Sequence, residues 1–338
     1  MTYKVLNRKS GTTMEVNEGE SILDAALRQS IVFPYSCRGG TCGTCKASLL
    51  SGKVSYPHNE MSAISEEEKQ SGAVLLCQAI PEEDIEIDAN EMAANAGIEI
   101  KMMPCRVSTM NTLAHDVMEL SLKIPASQQL PYMAGQYMDI IMRDGRRRSF
   151  SLASRPQAGQ ELKLHIRHVP GGRFSGLVFD SMTVKDLLRF QGPFGTFFLR
   201  RESDKPVIMM AGGTGLAPIK AILEQAFHDQ LQRPMHLFWG VRQLRDLYHH
   251  ELLSEWAASY DNFSYTPVLS EPEPESGWTG KTGWVHDAVV EAHSQLSSFE
   301  IYASGPPVMI DAAKATFPAH GMDLEAMHYD SFDYATDV

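Results

Sequence analysis

Cys37-Arg38-Gly39-Gly40-Thr41-Cys42-Gly43-Thr44-Cys45 places three thiols at gaps of four and two residues, and Cys77 supplies a fourth further on. That C-x4-C-x2-C…C order is the spacing that wraps a loop around a [2Fe–2S] cluster, with the remote cysteine closing the far side. The glycines have a physical task. A four-thiolate cluster is anionic, and backbone N–H groups must reach its sulfurs without side chains in the way. A structural zinc site is the competing reading, but such sites usually pair two C-x2-C units, and only Cys42/Cys45 has that spacing here. The stretch therefore predicts a small β-rich unit handling one electron at a time, with Cys37, Cys42, Cys45 and Cys77 as metal ligands.

Working outward, Tyr3–Leu6 and Thr13–Val16 read as a hairpin around Ser10-Gly11, and Ser21 as the N-cap of a short helix through Leu27. Strands are expected at Cys45–Leu50, Val74–Cys77 and Ile85–Ile87. Residues 1–95 carry 14 acidic against 8 basic side chains. Glu91–Gly97 has the small-residue composition of a linker.

From 100 to 202 the pattern changes to alternating stretches divided by turn signals: Pro104–Val107, Val117–Leu122, Tyr137–Met142 and Leu162–Ile166. This is the pattern of an antiparallel barrel, with Gly192–Gly195 expected as a turn before its last strand. In it lie Arg148-Ser149-Phe150-Ser151 and, opening a helical stretch, Gly172-Arg173-Phe174-Ser175. An arginine, an aromatic ring and a hydroxyl so spaced can hold a phosphate and a planar ring; an exposed strand with a basic edge has the same composition. Gly172 and Ser175 either bind phosphate or cap the helix.

From 204 to 338, strand–helix alternation predicts a doubly wound parallel sheet. Pro206–Ala211 reads as a buried strand ending in Gly213-Thr214-Gly215-Leu216-Ala217-Pro218, and a helix follows with apolar Ile219, Ile222, Leu223, Ala226 and Phe227. Glycines between a strand and a helix N-terminus suit a pyrophosphate, and Pro218 suits a first helical turn.

The 338-residue chain has 43% hydrophobic and 21% charged residues and a net charge of −12. Such acidity argues against nucleic acid as a partner, since phosphate binding needs basic surface. No apolar run approaches the roughly 18 residues of a membrane span, and the N-terminus lacks a signal-peptide core, so a cytoplasmic protein is expected. Cys105 is left over as a packed thiol.

Taken in order over essentially the whole chain, these motifs resemble the NADH-dependent reductase components of multicomponent oxygenases such as phenol hydroxylase and naphthalene dioxygenase. They resemble equally the reductase of CDP-6-deoxy-sugar biosynthesis. In both, a plant-type ferredoxin domain of β-grasp fold is fused to a ferredoxin–NADP reductase-like unit. The resemblance implies that NADH reduces FAD and that electrons pass singly through the [2Fe–2S] cluster. The acceptor would be a terminal oxygenase or an intermediate ferredoxin, or alternatively a deoxysugar dehydratase. A non-enzymatic iron–sulfur redox sensor is the third reading.

By the same resemblance, Arg148 meets the FAD pyrophosphate, Phe150 lines the flavin ring and Ser151 approaches its N5, with Ser149 between them. His165-Ile166-Arg167 lies beside the adenylate, and Gly172, Phe174 and Ser175 belong to the pyrophosphate helix. Gly213, Thr214, Gly215 and Pro218 form the nicotinamide-nucleotide loop. Gly240, Arg242 and Asp246 lie in the block that bears on the ribose: Asp246 would repel a 2′-phosphate, Arg242 and Arg245 could attract one, and the likeness of the block to that of NADH-linked oxygenase reductases points to NADH. Ser304-Gly305-Pro306-Pro307 brings the nicotinamide to the flavin. Two departures stand out: Phe150 replaces the commoner tyrosine, and Ser304 the usual cysteine. Tyr329, Phe332 and Tyr334 lie in a tail expected to be too polar for a further core element, with Phe332 shielding the flavin face.

Overall fold

The structure, a computed structural model, describes residues 1–57, 61–92, 98–157 and 161–332. It separates into two compact units, Met1–Ile98 and Glu99–Val338. Of the expected linker, residues 93–97 lie outside the described residues, as does Tyr334.

In the first unit β1 (Thr2–Asn7) and β2 (Thr13–Asn17) form the hairpin. Helix α1 (Ile22–Arg28) starts at Ser21, whose hydroxyl accepts the Asp24 N–H, and it buries Ile22, Leu23, Ala25 and Ala26. Then come β3 (Lys46–Ser51), β4 (Val54–Ser55), the capping-box helix α2 (Glu66–Gln70), β5 (Ala73–Leu75), β6 (Ile80–Pro81) and β7 (Ile85–Asp88). The main sheet runs β2-β1-β7-β3-β5, with β1 and β7 parallel. Strand β5 stops at Leu75, short of Cys77, because the chain turns there: the N–H groups of Gln78 and Ala79 both bond the Leu75 carbonyl.

The second unit begins with β8 (Lys101–Ala114), β9 (Val117–Lys123), β10 (Tyr137–Ile141), β11 (Arg147–Ser151), β12 (Leu162–Arg167), helix α3 (Arg173–Asp180) and β13 (Leu187–Phe194). These strands pair antiparallel in the order β11-β10-β13-β8-β9-β12. A bridge between Leu152 and Leu164 joins the two edges and closes a barrel. Alternate residues point inward, so Val107, Leu120, Leu122, Met138, Ile140, Leu164, Ile166 and Phe190 are all fully buried. Gly192–Phe194, expected as a turn, is the end of strand β13. The strand begins at Leu187, which is exposed, and its inward positions switch to the aromatic side chains Phe190 and Phe194, so the Gly-Pro pair masks a continuing ladder.

The chain then alternates β14 (Val207–Gly212), α4 (Leu216–His228), β15 (Met235–Val241), α5 (His250–Ser259), β16 (Phe263–Leu269), β17 (Lys281–Thr282), α6 (Val285–Ala292), β18 (Glu300–Gly305), α7 (Pro307–Thr316) and β19 (Met327–Ser331). All strands are parallel, in the order β17-β16-β15-β14-β18-β19. Successive residues of β14 enter two different cores. Val207, Met209 and Ala211 pack with α4, while Ile208 and Met210 pack with α6 and α7. Burial on both faces is why this strand reads as an uninterrupted apolar run.

The tail past the last helix is not a polar extension: Met327–Ser331 is the parallel edge strand of this sheet. Its polar side chains are absorbed by partners, and Asp330 and Ser331 are buried with Met327.

Candidate functional site

The first unit brings the four predicted thiols together. Cys42, Cys45 and Cys77 are buried and Cys37 is half-buried. The N–H groups of Gly39 and Cys42 each point at Cys37 Sγ from 3.4 Å. The loop achieves this with Arg38, Gly40 and Gly43 in the left-handed region, and Gln78 Nε2 ties the loop back by donating to the Arg38 carbonyl at 2.8 Å. A hydrogen bond from the Cys42 thiol, the largest of several, pulls Cys37 down to about 5. The Cys45–Cys77 hydrogen bond lowers Cys77 and raises Cys45. Two hydrogen-bonded thiol pairs, Cys37 with Cys42 and Cys45 with Cys77, and backbone donors aimed at Cys37 fit an anionic iron–sulfur cluster. Cys105 lies in the barrel core, 2% exposed, where burial raises its thiol to about 12.

In the second unit the topology reverses direction between β14 and β18, which opens a crevice at the carboxyl ends of these strands. Gly213 and Gly215 lie at the end of β14, and Ser304 and Gly305 at the end of β18. A Cβ on Gly215 would sit 2.0 Å from the Ser304 carbonyl oxygen, so the close approach excludes any larger residue there. Gly305, at φ 151°, has an approach of the same kind to Gly212. Pro218 falls in the first turn of α4. Ser304 is fully buried and its hydroxyl has no hydrogen-bond partner. An orphaned donor beside a glycine-lined crevice fits a nucleotide ring that supplies the missing acceptor.

From the barrel side, Ser151 Oγ donates to Asp330 Oδ2 at 3.1 Å. Asp330 is the register partner of Ser304 across β18 and β19. The flavin motif on β11 and the nicotinamide motif on β18 therefore meet through Asp330, a residue that sequence reading did not single out. Its only signal was an acid set between the aromatic residues Tyr329 and Phe332. Phe332, half-exposed, donates its N–H to the Gly305 carbonyl at 2.9 Å, which fixes its backbone beside the same turn. Tyr329 lies instead under Lys314, whose Nζ stands 3.6 Å from the ring centroid.

Arg148 and Phe150 share one face of β11, and the Phe150 ring packs on Phe174 of α3 with centroids 5.2 Å apart. Behind them, the Ser175 hydroxyl accepts the Val169 N–H at 3.1 Å. A Cβ on Gly172 would meet that hydroxyl at 2.7 Å. Gly172 and Ser175 thus shape the turn that leads into α3, and a half-exposed aromatic beside an arginine at this helix start fits a flavin diphosphate. Ser149 faces away, donating to Asp139 Oδ1 at 2.7 Å.

Other predicted residues have structural employment. Ile166 is core. Arg167 Nε donates to Asp116 Oδ2 at 2.7 Å, and a Cβ on Gly213 would stand 3.0 Å from Arg167 Nη1, so barrel and glycine turn touch there. The His165 side chain is fully buried, with Nδ1 3.1 Å from the Tyr248 hydroxyl. Burial holds it neutral, well below the usual histidine range. A Cβ on Gly240 would meet Val285 Cβ at 2.8 Å, which makes that glycine a packing residue for α6. Arg242 is exposed, and the Asp246 side chain is 8% exposed, with Oδ2 accepting the Gln243 N–H at 2.9 Å.

Among the described residues no helix is long and apolar enough to cross a membrane. Three family models match the chain: a 2Fe-2S iron-sulfur cluster binding domain over residues 5–82, an oxidoreductase FAD-binding domain over 104–199 and an oxidoreductase NAD-binding domain over 209–315. The CDP-6-deoxy-L-threo-D-glycero-4-hexulose-3-dehydrase reductase of Yersinia pestis is 39% identical over 332 residues, covering 98% of this chain and 99% of that protein. The xylene/toluene monooxygenase electron transfer component of Pseudomonas putida is 37% identical over 330 residues, covering 96% and 92%. The crystal structure of an Amycolatopsis cytochrome P450 reductase superposes with a TM-score of 0.83 at 31% identity, covering 99% of this chain and 100% of that one. Matched from end to end in domain order, sequence and fold, the chain belongs to the family of oxidoreductases that join a [2Fe–2S] ferredoxin domain to FAD- and NAD-binding domains.

Proposed function

We propose that this reductase takes a hydride from NADH and releases electrons one at a time to a separate acceptor protein. The observation that carries the reading is the Ser151–Asp330–Ser304 arrangement, which draws the flavin motif and the nicotinamide motif to one crevice. FAD, when bound, supplies the conversion between two-electron and one-electron chemistry. The chain's own residues bind and orient. Arg148 and the α3 N-terminus at Gly172 hold the diphosphate, and Phe150, backed by Phe174, lines the ring. Gly213-Thr214-Gly215 and the start of α4 at Pro218 take the nicotinamide nucleotide's pyrophosphate. Gly305 and Pro306 set the depth to which its ring enters.

Ser151 places a hydroxyl, anchored by Asp330, at the reacting edge of the flavin, and the Ser304 hydroxyl supplies the neighbouring polar contact. Phe332 covers the open face and keeps water and oxygen from it. Cys37, Cys42, Cys45 and Cys77 ligate the cluster. His165, Ser149, Gly240 and Asp246 support the fold around these groups.

The acceptor is a terminal oxygenase component or an intermediate ferredoxin, as for the monooxygenase relatives. A second reading, a deoxyhexulose dehydrase as acceptor, is favoured by the 39% identity to the Yersinia reductase over nearly the whole of both chains. NADH-driven reduction of ferricyanide and cytochrome c by the purified holoprotein tests the core reading. No turnover with full flavin and iron content would leave only a redox sensor. Reconstitution with each acceptor class, scored by product formed per NADH, separates the two acceptor readings.

A further inference from the structure

We propose that Glu119, His165 and His249 form a site for one divalent transition-metal ion of the zinc class, pinning the barrel to the nucleotide-binding sheet within the second unit. Glu119 and His165 are direct cross-strand partners on β9 and β12. His249 is the N-cap residue of α5, from the other sheet's layer of helices. One donor atom from each residue lies within 4.8 Å of the other two. His165 Nε2 stands 3.9 Å from Glu119 Oε2. Ligands around one zinc ion, each about 2.0–2.1 Å from it, are separated by roughly 3.4 Å, so small side-chain rotations complete the set.

The hydrogen bonding prepares these atoms for a ligand. His165 Nε2 and His249 Nε2 are both buried without a hydrogen-bond partner. The other nitrogen of His165, Nδ1, is bonded to the Tyr248 hydroxyl at 3.1 Å. That outer contact orients a metal-binding imidazole, and with the proton on Nδ1 it leaves Nε2 as a bare lone pair. Glu119 divides its oxygens in the same way. Lys163 Nζ takes Oε1 at 3.1 Å, and Oε2 faces His165. Two imidazoles and one carboxylate form a donor set that zinc accepts, with a fourth position open for water.

The neighbouring cations bound the affinity. Lys163 neutralises part of the carboxylate charge, and Lys220, tied to Glu224 and to the Ala153 carbonyl, adds a second positive charge nearby. Binding is therefore weaker than at an all-anionic site, and reversible. A buried water bridging the three residues is the alternative occupant.

The test uses the holoprotein with iron and flavin in place. Equilibrium dialysis against zinc chloride, with zinc, iron and flavin measured together, is run on the wild type, His249→Gln and Glu119→Gln. The expected result is one zinc per wild-type chain at unchanged iron, at least tenfold weaker binding in both variants, and a zinc-dependent rise in thermal midpoint in the wild type alone. The flavin and cluster spectra of the variants check that they fold. No saturable zinc in the wild type, equal zinc in all three proteins, or zinc bound only as iron is displaced from the cysteines would each overturn the proposal.

Discussion

Ser151 and Asp330 lie 179 residues apart in the chain, yet the hydroxyl of one donates to the carboxylate of the other at 3.1 Å. Asp330 also sits opposite Ser304 in the adjoining strand. A single residue thus bonds one of the two proposed cofactor motifs and stands in register with the other. Asp330→Asn keeps the shape and removes the charge. A hydrogen bond to a charged group is worth about 1.5–3 kcal/mol, so kcat should fall by roughly ten- to a hundredfold, with a smaller change in KM for NADH and no loss of flavin. Unchanged single-turnover flavin reduction by NADH in this variant would show that Asp330 does no more than hold the edge strand.

The cysteines divide into two classes. Cys77→Ala should abolish cluster absorbance and iron content while flavin absorbance persists. Cys105→Ser should keep both, because Cys105 is a barrel-core residue on β8. Burying a hydroxyl there without a partner costs about 1–3 kcal/mol, read as a lower thermal midpoint. Iron loss on the Cys105 substitution would overturn the ligand assignment.

Phe332 is held by its own N–H on the Gly305 carbonyl, at 2.9 Å. Ending the chain after Ser331 leaves strand β19 intact and removes both the ring and that bond. NADH oxidation by dissolved oxygen should rise several-fold, and the flavin absorption envelope should shift, at constant iron content. If oxygen consumption and the flavin spectrum stay as in the full chain, the ring is no shield.

From sequence Asp246 would repel the 2′-phosphate of NADPH, against an attraction by Arg242 and Arg245, but its carboxylate closes a turn through the Gln243 N–H. Asp246→Asn should therefore lower the thermal midpoint and alter the ratio of kcat/KM for NADH over NADPH by less than about threefold, roughly 0.7 kcal/mol. A tenfold swing toward NADPH would restore the discriminating role.

Acid should loosen the nucleotide-binding sheet through His328 on β19. Burial, with help from Arg200 and Arg233 and against Glu300, lowers its pKa to about 4. Because the folded form resists protonation and the unfolded chain does not, the stabilisation is whole above the ordinary pKa of about 6.5. It is lost as pH falls from there to about 4. The thermal midpoint should drop across that window. His236 and His249, also lowered to about 4 by burial, lose stability in the same window, so His328→Gln, which cannot titrate, should lessen the drop in part; an unaltered slope would assign it wholly to other groups.

By itself the sequence determined the elements whose signals are local. Cysteine spacing specified the cluster loop, because three of the four predicted ligands, Cys37, Cys42 and Cys45, fall within one short stretch. Ser21 marked the start of α1 because an N-cap is satisfied within one turn. The glycine turn after β14 was legible because close approach forbids a Cβ wherever it occurs. What depended on distant partners stayed hidden. Strand β19 looked too polar to be core because its buried carboxylate is compensated by Ser151, from another sheet. His165 read as a cofactor neighbour because nothing local reveals that Tyr248 and His249 cover it. Asp246 reads as a charge beside the ribose, and only the folded turn shows that its Oδ2 accepts the Gln243 N–H. Local geometry is written in neighbouring residues, but the burial of a polar group is decided only where chains from different sheets meet.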